Sequence, residues 1–134
     1  MHLINYLTRV QFGFGSLIAL QQECDALSIT RPLIITDRGV RSAGLIEMVT
    51  AQLRAVSEEQ IFDETPPNPN EATVRKAANL YQAGNYDGLI AVGGGSAIDL
   101  AKGVAVCATH EGPLSQYALI EGGLTRITAA TAPV

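Results

Sequence analysis

Residues 93–99 read Gly93-Gly94-Gly95-Ser96-Ala97-Ile98-Asp99 and follow the apolar run Leu89-Ile90-Ala91-Val92 directly. A glycine-rich turn from a buried strand into a helix leaves the first backbone N–H groups of the helix without partners, and it lets an anion approach them with no Cβ in the way. The chemistry implied is the binding of a phosphate or pyrophosphate. The dinucleotide register G-x-G-x-x-G fails, because counting from Gly93 places Ile98 at the last glycine. A Walker A loop is absent as well, since Lys102 lies a full helical turn too far along. A plain turn closed by a capping box accounts for the same residues in another way: Ser96 would accept from the Asp99 N–H, and Asp99 would reach back. Capping and ligand contact can both hold for Ser96 and Asp99, whereas a turn alone would seldom need three consecutive glycines.

Two further polar residues follow apolar runs. Asp37 comes after Leu33-Ile34-Ile35-Thr36, where a carboxylate can accept hydrogen bonds from ribose hydroxyls and would repel a 2′-phosphate, favouring NAD over NADP. As a solvated turn residue before Gly39 it would do neither. Asn68, between Pro67 and Pro69, can contact an adenine or ribose, or it can simply make a turn. The chain holds only two histidines, His2 and His110, and two cysteines, Cys24 and Cys107. Together they could make at most one unusual four-ligand metal site. The cysteines fall within helical stripes and read as buried thiols. His110 as a general acid or base is conceivable, but a lone histidine after a helix is more often a surface residue.

The elements that must position these residues alternate. Residues 10–12 read as a short strand, and Ser16 as the N-cap of a helix with Leu17, Leu20, Cys24 and Leu27 on one face. A buried strand over 33–36 leads to a helix over about 41–54 with Leu45, Met48, Val49 and Leu53 inward. A weaker strand covers 60–62, and the prolines of 65–70 hold that stretch extended. Asn70 caps a helix whose inner face is Val74, Ala77, Ala78 and Tyr81, closed by Gly84. The strand at 89–92 and a last helix to about Ala108 follow. Strands alternating with helices imply a parallel sheet flanked by helices, a Rossmann-like α/β fold. In such a sheet Asp37, Asn68 and the glycine loop all gather at the carboxyl edge.

Composition narrows the function classes. The 134 residues suit one domain, and 47% hydrophobic against 16% charged residues can bury a core. A net charge of −4 with no basic block argues against nucleic acid or an anionic membrane as the main ligand. No secretory leader is visible and no apolar run is long enough to span a bilayer, so the expected compartment is cytoplasmic.

The run from Gly93 to Lys102 follows the GGGSxxDxAK pattern and resembles the iron-containing (group III) alcohol dehydrogenases. Asp37 after its strand, Pro67-Asn68-Pro69, and the opening Val10-Gln11-Phe12-Gly13-Phe14-Gly15 fit the same order and spacing. The resemblance implies an N-terminal dinucleotide-binding domain, here residues 1–134, joined in the family to an all-helical domain holding iron or zinc. It implies interconversion of small alcohols with aldehydes or ketones using NAD, with NADP less favoured. By position, Gly94, Gly95 and Ser96 would hold the pyrophosphate and Gly93 would shape the loop. Asp37 would face the adenosine ribose, Asn68 would lie near the adenosine half, and Asp99 would sit further along the cofactor. Lys102 is read as structural. Many members are homodimers, for which residues 1–5 could supply a strand.

The departure from the family is that its metal is held by one Asp and three His, a set that His2 and His110 cannot supply. Residues 128–134 read as a strand being entered. The expectation is therefore the cofactor-binding half of a longer metal-dependent dehydrogenase, with no catalytic residue or metal ligand in this chain and no activity by the chain alone. A stand-alone nucleotide-binding module without catalysis is the competing reading. A fragment of a maleylacetate-reductase-like enzyme is less favoured, because those enzymes tend to lack the Asp that Asp99 supplies.

Overall fold

Leu33, Ile34 and Ile35 are each fully buried, which requires cover on both faces of the strand that carries them. The computed structural model describes residues 8–134, apart from the side chain of Leu119, and it supplies that cover. Strands β1 (Pro32–Ile35), β2 (Ile61–Phe62) and β3 (Gly88–Ala91) form a parallel sheet in the order β2-β1-β3. Ile34 pairs with Ile61 on one side and with Ile90 on the other. Because side chains alternate across a strand, Leu33 and Ile35 enter one apolar layer with Leu89, Val74, Leu100 and Val104. Ile34 enters the opposite layer with Cys24, Ile29, Ile46 and Ile90.

The helices divide between those layers. On one face lie α1 (Leu20–Ala26), which continues a 3-10 turn at Ser16–Ala19, and the short pair α2 (Arg38–Ser42) and α3 (Leu45–Thr50). On the other lie α4 (Glu71–Ala83) and α5 (Gly95–Cys107). The Asn70 side chain accepts from the Thr73 N–H at 2.9 Å, and Val74, Ala77, Ala78 and Tyr81 form the buried stripe of α4, which ends at Gly84. Short 3-10 turns at Leu114–Tyr117, Leu119–Glu121 and Gly123–Arg126 follow α5. Beyond them the Pro133 carbonyl accepts from the Leu89 N–H at 2.9 Å, so residue 133 runs along the edge of β3 that β1 leaves open. No helix among the described residues is long and apolar enough to cross a membrane.

Several expectations are corrected. Residues 10–12 are not a strand: Val10 is 67% exposed and Phe12 fully exposed, and no strand among the described residues pairs with them. The suggested strand at 1–5 lies outside the described residues. Ser16 is not a cap, because the turn starts from Gly15 in the left-handed region. Leu17 and Leu20 are only half-buried and Leu27 is exposed, leaving Cys24 as the one buried residue of α1. The single helix expected over 41–54 breaks at Gly44, whose φ of +77° ends α2 and restarts the chain as α3. The restart rotates the buried face onto Ile46 and Val49, and it turns Leu45 and Met48 outward.

Candidate functional site

Thr36 fastens the carboxyl ends of all three strands. Its N–H donates to the Phe62 carbonyl at 2.8 Å, its hydroxyl donates to the Val92 carbonyl at 2.8 Å, and its own carbonyl accepts from the Thr65 N–H at 3.3 Å. Beyond this knot the chain after β1 turns toward α2 on one face, while the chain after β3 turns toward α5 on the other. The divergence opens the crevice in which parallel sheets bind ligands.

Asp37 stands at its lip. One carboxylate oxygen caps α2, accepting from the Val40 N–H at 2.9 Å. A Cβ placed on Gly39 would sit 3.1 Å from that oxygen, so the absent side chain leaves the carboxylate uncrowded. Across the crevice Gly93 has φ +147°, a conformation that L side chains rarely adopt, and a Cβ there would lie 3.2 Å from Ala97 Cβ and 3.6 Å from the second Asp37 oxygen. Gly93 is thus required by the turn itself.

Gly94 and Gly95 differ. Gly94 has φ −86°, open to any residue, and a Cβ on either glycine would meet nothing within 4 Å. Neither backbone angle nor packing demands glycine at these two positions, and both face open space. Gly94 is the N-cap of α5 and provides no side-chain cap; Ile98 N is the first amide to find a helical partner, the Gly94 carbonyl at 3.3 Å. The amides ahead of it are left for an outside acceptor. This overturns the capping box. The Ser96 hydroxyl donates to the Pro67 carbonyl, clamping the proline loop to the start of α5, and Asp99 is exposed with no side-chain hydrogen bond among the described residues.

An open groove of about 680 Å³ runs from this point along the ends of β1 and β2, lined by Asp37, Arg38, Asp63, Glu64, Thr65 and Ser96 together with Gly39, Pro66 and Pro67. Its carboxylates are not equivalent. Asp63 is paired to Arg41 at 2.9 Å, and Glu64 is paired to Lys76. Thr65 is buried, and its hydroxyl is without a hydrogen-bond partner.

Of the residues singled out in the sequence, Asp37 and Ser96 line the groove and Gly93 sits against Asp37. Gly94 and Gly95 are exposed at the head of α5. Asn68 and Asp99 are exposed and do not line the groove. Lys102 is exposed and makes no side-chain hydrogen bond or ion pair among the described residues. Thr36, Arg38 and Thr65 were missed. Arg38 and Thr65 sit beside strand ends, where a polar residue next to Asp37 or the proline loop could have drawn attention, but Thr36 read simply as the end of an apolar run.

The remaining candidates serve the fold. His110 Nε2 accepts from the Thr128 N–H at 2.9 Å, and Nδ1 lies 3.1 Å from the Val106 carbonyl, which assigns the ring proton to Nδ1. The ring also packs edge-on against Tyr117 at 5.3 Å, so it clips the segment after α5 back onto the helix. Cys24 and Cys107 are buried free thiols, and burial pushes both above the ordinary thiol range, which disfavours the nucleophilic thiolate. Among the described residues no group of three or more His, Cys, Asp or Glu is placed to hold a metal ion. These residues therefore do not fit the metal that the resemblance implies.

4-Hydroxybutyrate dehydrogenase of Cupriavidus necator is 51% identical over all 134 residues of this chain, which correspond to 35% of that protein. 1,3-Propanediol dehydrogenase of Klebsiella pneumoniae is 36% identical over 82% of this chain and 29% of its own length. Among solved structures, an aldehyde reductase from E. coli in its substrate- and cofactor-free form superposes with a TM-score of 0.79 at 26% identity, covering 98% of this chain and 34% of that one. The chain thus spans about a third of the length of the relatives it matches. Over residues 8–134 the sequence fits the iron-containing alcohol dehydrogenases, and the chain belongs to that family.

Proposed function

We propose that this chain is the cofactor-binding domain of a metal-dependent, NAD-preferring alcohol dehydrogenase that interconverts alcohols with aldehydes or ketones. The observation that carries the proposal is the uncapped start of α5, where Gly94 and Gly95 face open space beside Asp37. A diphosphate there would accept from the amides at the helix start and gain from the helix dipole. Asp37, with one oxygen tied to Val40 N–H, would offer the other to the adenosine ribose. Gly93 would let the two walls of the crevice approach each other, and Ser96 would hold the proline loop, with Asn68 on it, against the cofactor's adenosine half. Asp99 would lie further along α5.

When bound, a nicotinamide dinucleotide supplies the hydride acceptor or donor. The work of this chain's own residues is to fix that group in place and to select it by its ribose. The described residues do not form a site for a metal. In the proposal, the metal ligands and the alcohol pocket belong to parts of the enzyme outside this sequence. The relative at 51% identity is named for 4-hydroxybutyrate, so a short primary alcohol carrying a carboxylate is the first substrate to try with the whole enzyme. The proposal includes a cytoplasmic location and homodimeric assembly.

Isothermal titration calorimetry tests the carrying observation. ADP-ribose should bind the chain saturably, and Asp37→Gly should narrow the preference for NAD over NADP by about tenfold, the loss of one charge repulsion and one ribose hydrogen bond. An absence of ADP-ribose binding would overturn the assignment, and unchanged discrimination in the variant would remove Asp37 from the ribose site.

A further inference from the structure

Arg38 follows Asp37 directly, is exposed, and lines the same groove. Among the described residues it makes no ion pair and no hydrogen bond, although Asp63 and Glu64 line that groove too. Those carboxylates are already matched: Arg41 binds Asp63 and also Glu58, and Lys76 binds Glu64. The charges left uncompensated at the groove are therefore Asp37 and Arg38, adjacent in the chain and opposite in sign. The Arg38 guanidinium is therefore hydrated in the free chain and open to a ligand in the groove. Its planar fork of donors suits the oxygens of a phosphate, which can take two parallel hydrogen bonds.

We propose that Arg38 is a second cofactor-discriminating residue, whose guanidinium attracts a 2′-phosphate on the adenosine ribose while Asp37 repels it, so that the preference for NAD is graded and NADP is tolerated. The proposal rests on the dinucleotide assignment above. Physically, a single carboxylate at the ribose would exclude the 2′-phosphate by charge and by loss of its diol hydrogen bonds. A neighbouring free cation cancels the charge part and leaves the hydrogen-bond part. The Arg38 contribution depends on full charges in an open groove, so it is modest and weakens with salt.

The experiment is calorimetry of the chain with ADP-ribose and with 2′-phospho-ADP-ribose, at low and high salt, for the native protein, Arg38→Gln and Arg38→Lys. The native chain should bind both ligands, favouring ADP-ribose. Arg38→Gln should shift the ratio of the two affinities about fivefold further against the phosphorylated ligand at low salt, an interaction of about 1 kcal/mol, and the shift should shrink at high salt. Arg38→Lys, which keeps the charge but not the fork, should recover most of the native ratio. A ratio unchanged in Arg38→Gln overturns the proposal: equal weakening of both ligands would mean that Arg38 stacks on the base, and no weakening would mean that it contacts neither. In each of those outcomes the dinucleotide assignment survives. If the native chain binds neither ligand, both fail together.

Discussion

The two ends of the parallel sheet are made from the same three strands and are finished in opposite ways. At the amino end, Asp87 accepts from the Thr30 and Arg31 backbone N–H groups at 2.9 and 2.8 Å and from the Thr30 hydroxyl. Arg31 donates to the Gly84 carbonyl and to Glu59, each at 3.0 Å, and lies 5.0 Å over the Tyr86 ring, while the Tyr86 hydroxyl reaches the Glu59 carbonyl at 2.7 Å. Buried Gln60 is matched as well, donating to the Pro32 carbonyl at 3.0 Å. At the carboxyl end, among the described residues, the amides at the head of α5 have no side-chain cap, the Thr65 hydroxyl has no partner, and Arg38 has no acceptor. Of these only the buried Thr65 hydroxyl costs stability; Gly94, Gly95 and Arg38 are exposed and met by water in the free chain, and all of them are open to a ligand at that end. The other end is where the fold is held.

Breaking the amino end should have the largest effect. Asp87→Ala removes the acceptor for two backbone N–H groups and should destabilise the chain by about 3 kcal/mol, read as a lowered urea midpoint. Nucleotide binding by the folded fraction should be unaffected, and a matching loss of affinity would erase the contrast between the ends. The same residue has a signature in pH. Burial alone would raise the Asp87 carboxyl, but the hydrogen bonds from Thr30 and Arg31 outweigh it and hold the group below its ordinary value. Its stabilisation is therefore complete above about pH 4, the unfolded value, and is lost as pH falls through the lower folded value. Acid urea melts should show that slope in the native chain and a shallower one in Asp87→Ala.

Gly94→Ala tests the carboxyl end with the next largest effect. A Cβ there meets nothing and φ is ordinary, so the fold should lose no more than about 1 kcal/mol, the cost of a poorer N-cap. ADP-ribose affinity should nevertheless fall about tenfold, or ~1.4 kcal/mol, because the methyl enters the space proposed for the diphosphate. Unchanged affinity would mean that the open space beside Gly94 is not the phosphate site.

What could be read from the sequence divides along local and long-range lines. The apolar runs of β1 and β3 and the Asn70-capped stripe of α4 are local signals that agree with the tertiary packing. The glycine loop was legible as the turn from β3 into α5, with Gly93 in the positive-φ conformation that turn requires. The helix expected over 41–54 was misread because Gly44 is a local break that an apolar period spans without noticing. Residues 10–12 look like a strand, but no strand among the described residues stands beside them to pair. Ser96 has the spacing of a capping box, but its hydroxyl goes to Pro67, 29 residues away in sequence, and no local rule sees such a partner. Thr36 was hidden for the same reason, since its value lies in joining β1 to the ends of β2 and β3.

Thr65 provides the smallest and most exacting test of the difference between the ends. Both Gln60 and Thr65 are buried polar side chains near β2, one at each end of it. Gln60 is paired and Thr65 is not. A buried hydroxyl without a partner has lost its hydration and gained nothing in exchange, so Thr65→Val, of nearly the same shape, should stabilise the free chain by about 1 kcal/mol, visible as a higher melting temperature. If the hydroxyl turns to a ligand in the groove, saturating ADP-ribose should narrow the gap between variant and native melting temperatures, because only the native chain gains the bond. Thr65→Ser, which keeps the hydroxyl, should follow the native chain in that narrowing even if the lost methyl lowers its starting stability. A Thr65→Val chain that is less stable than the native one would mean the hydroxyl is already satisfied, by a bound water for example. The carboxyl end would then be finished as completely at this point as the amino end.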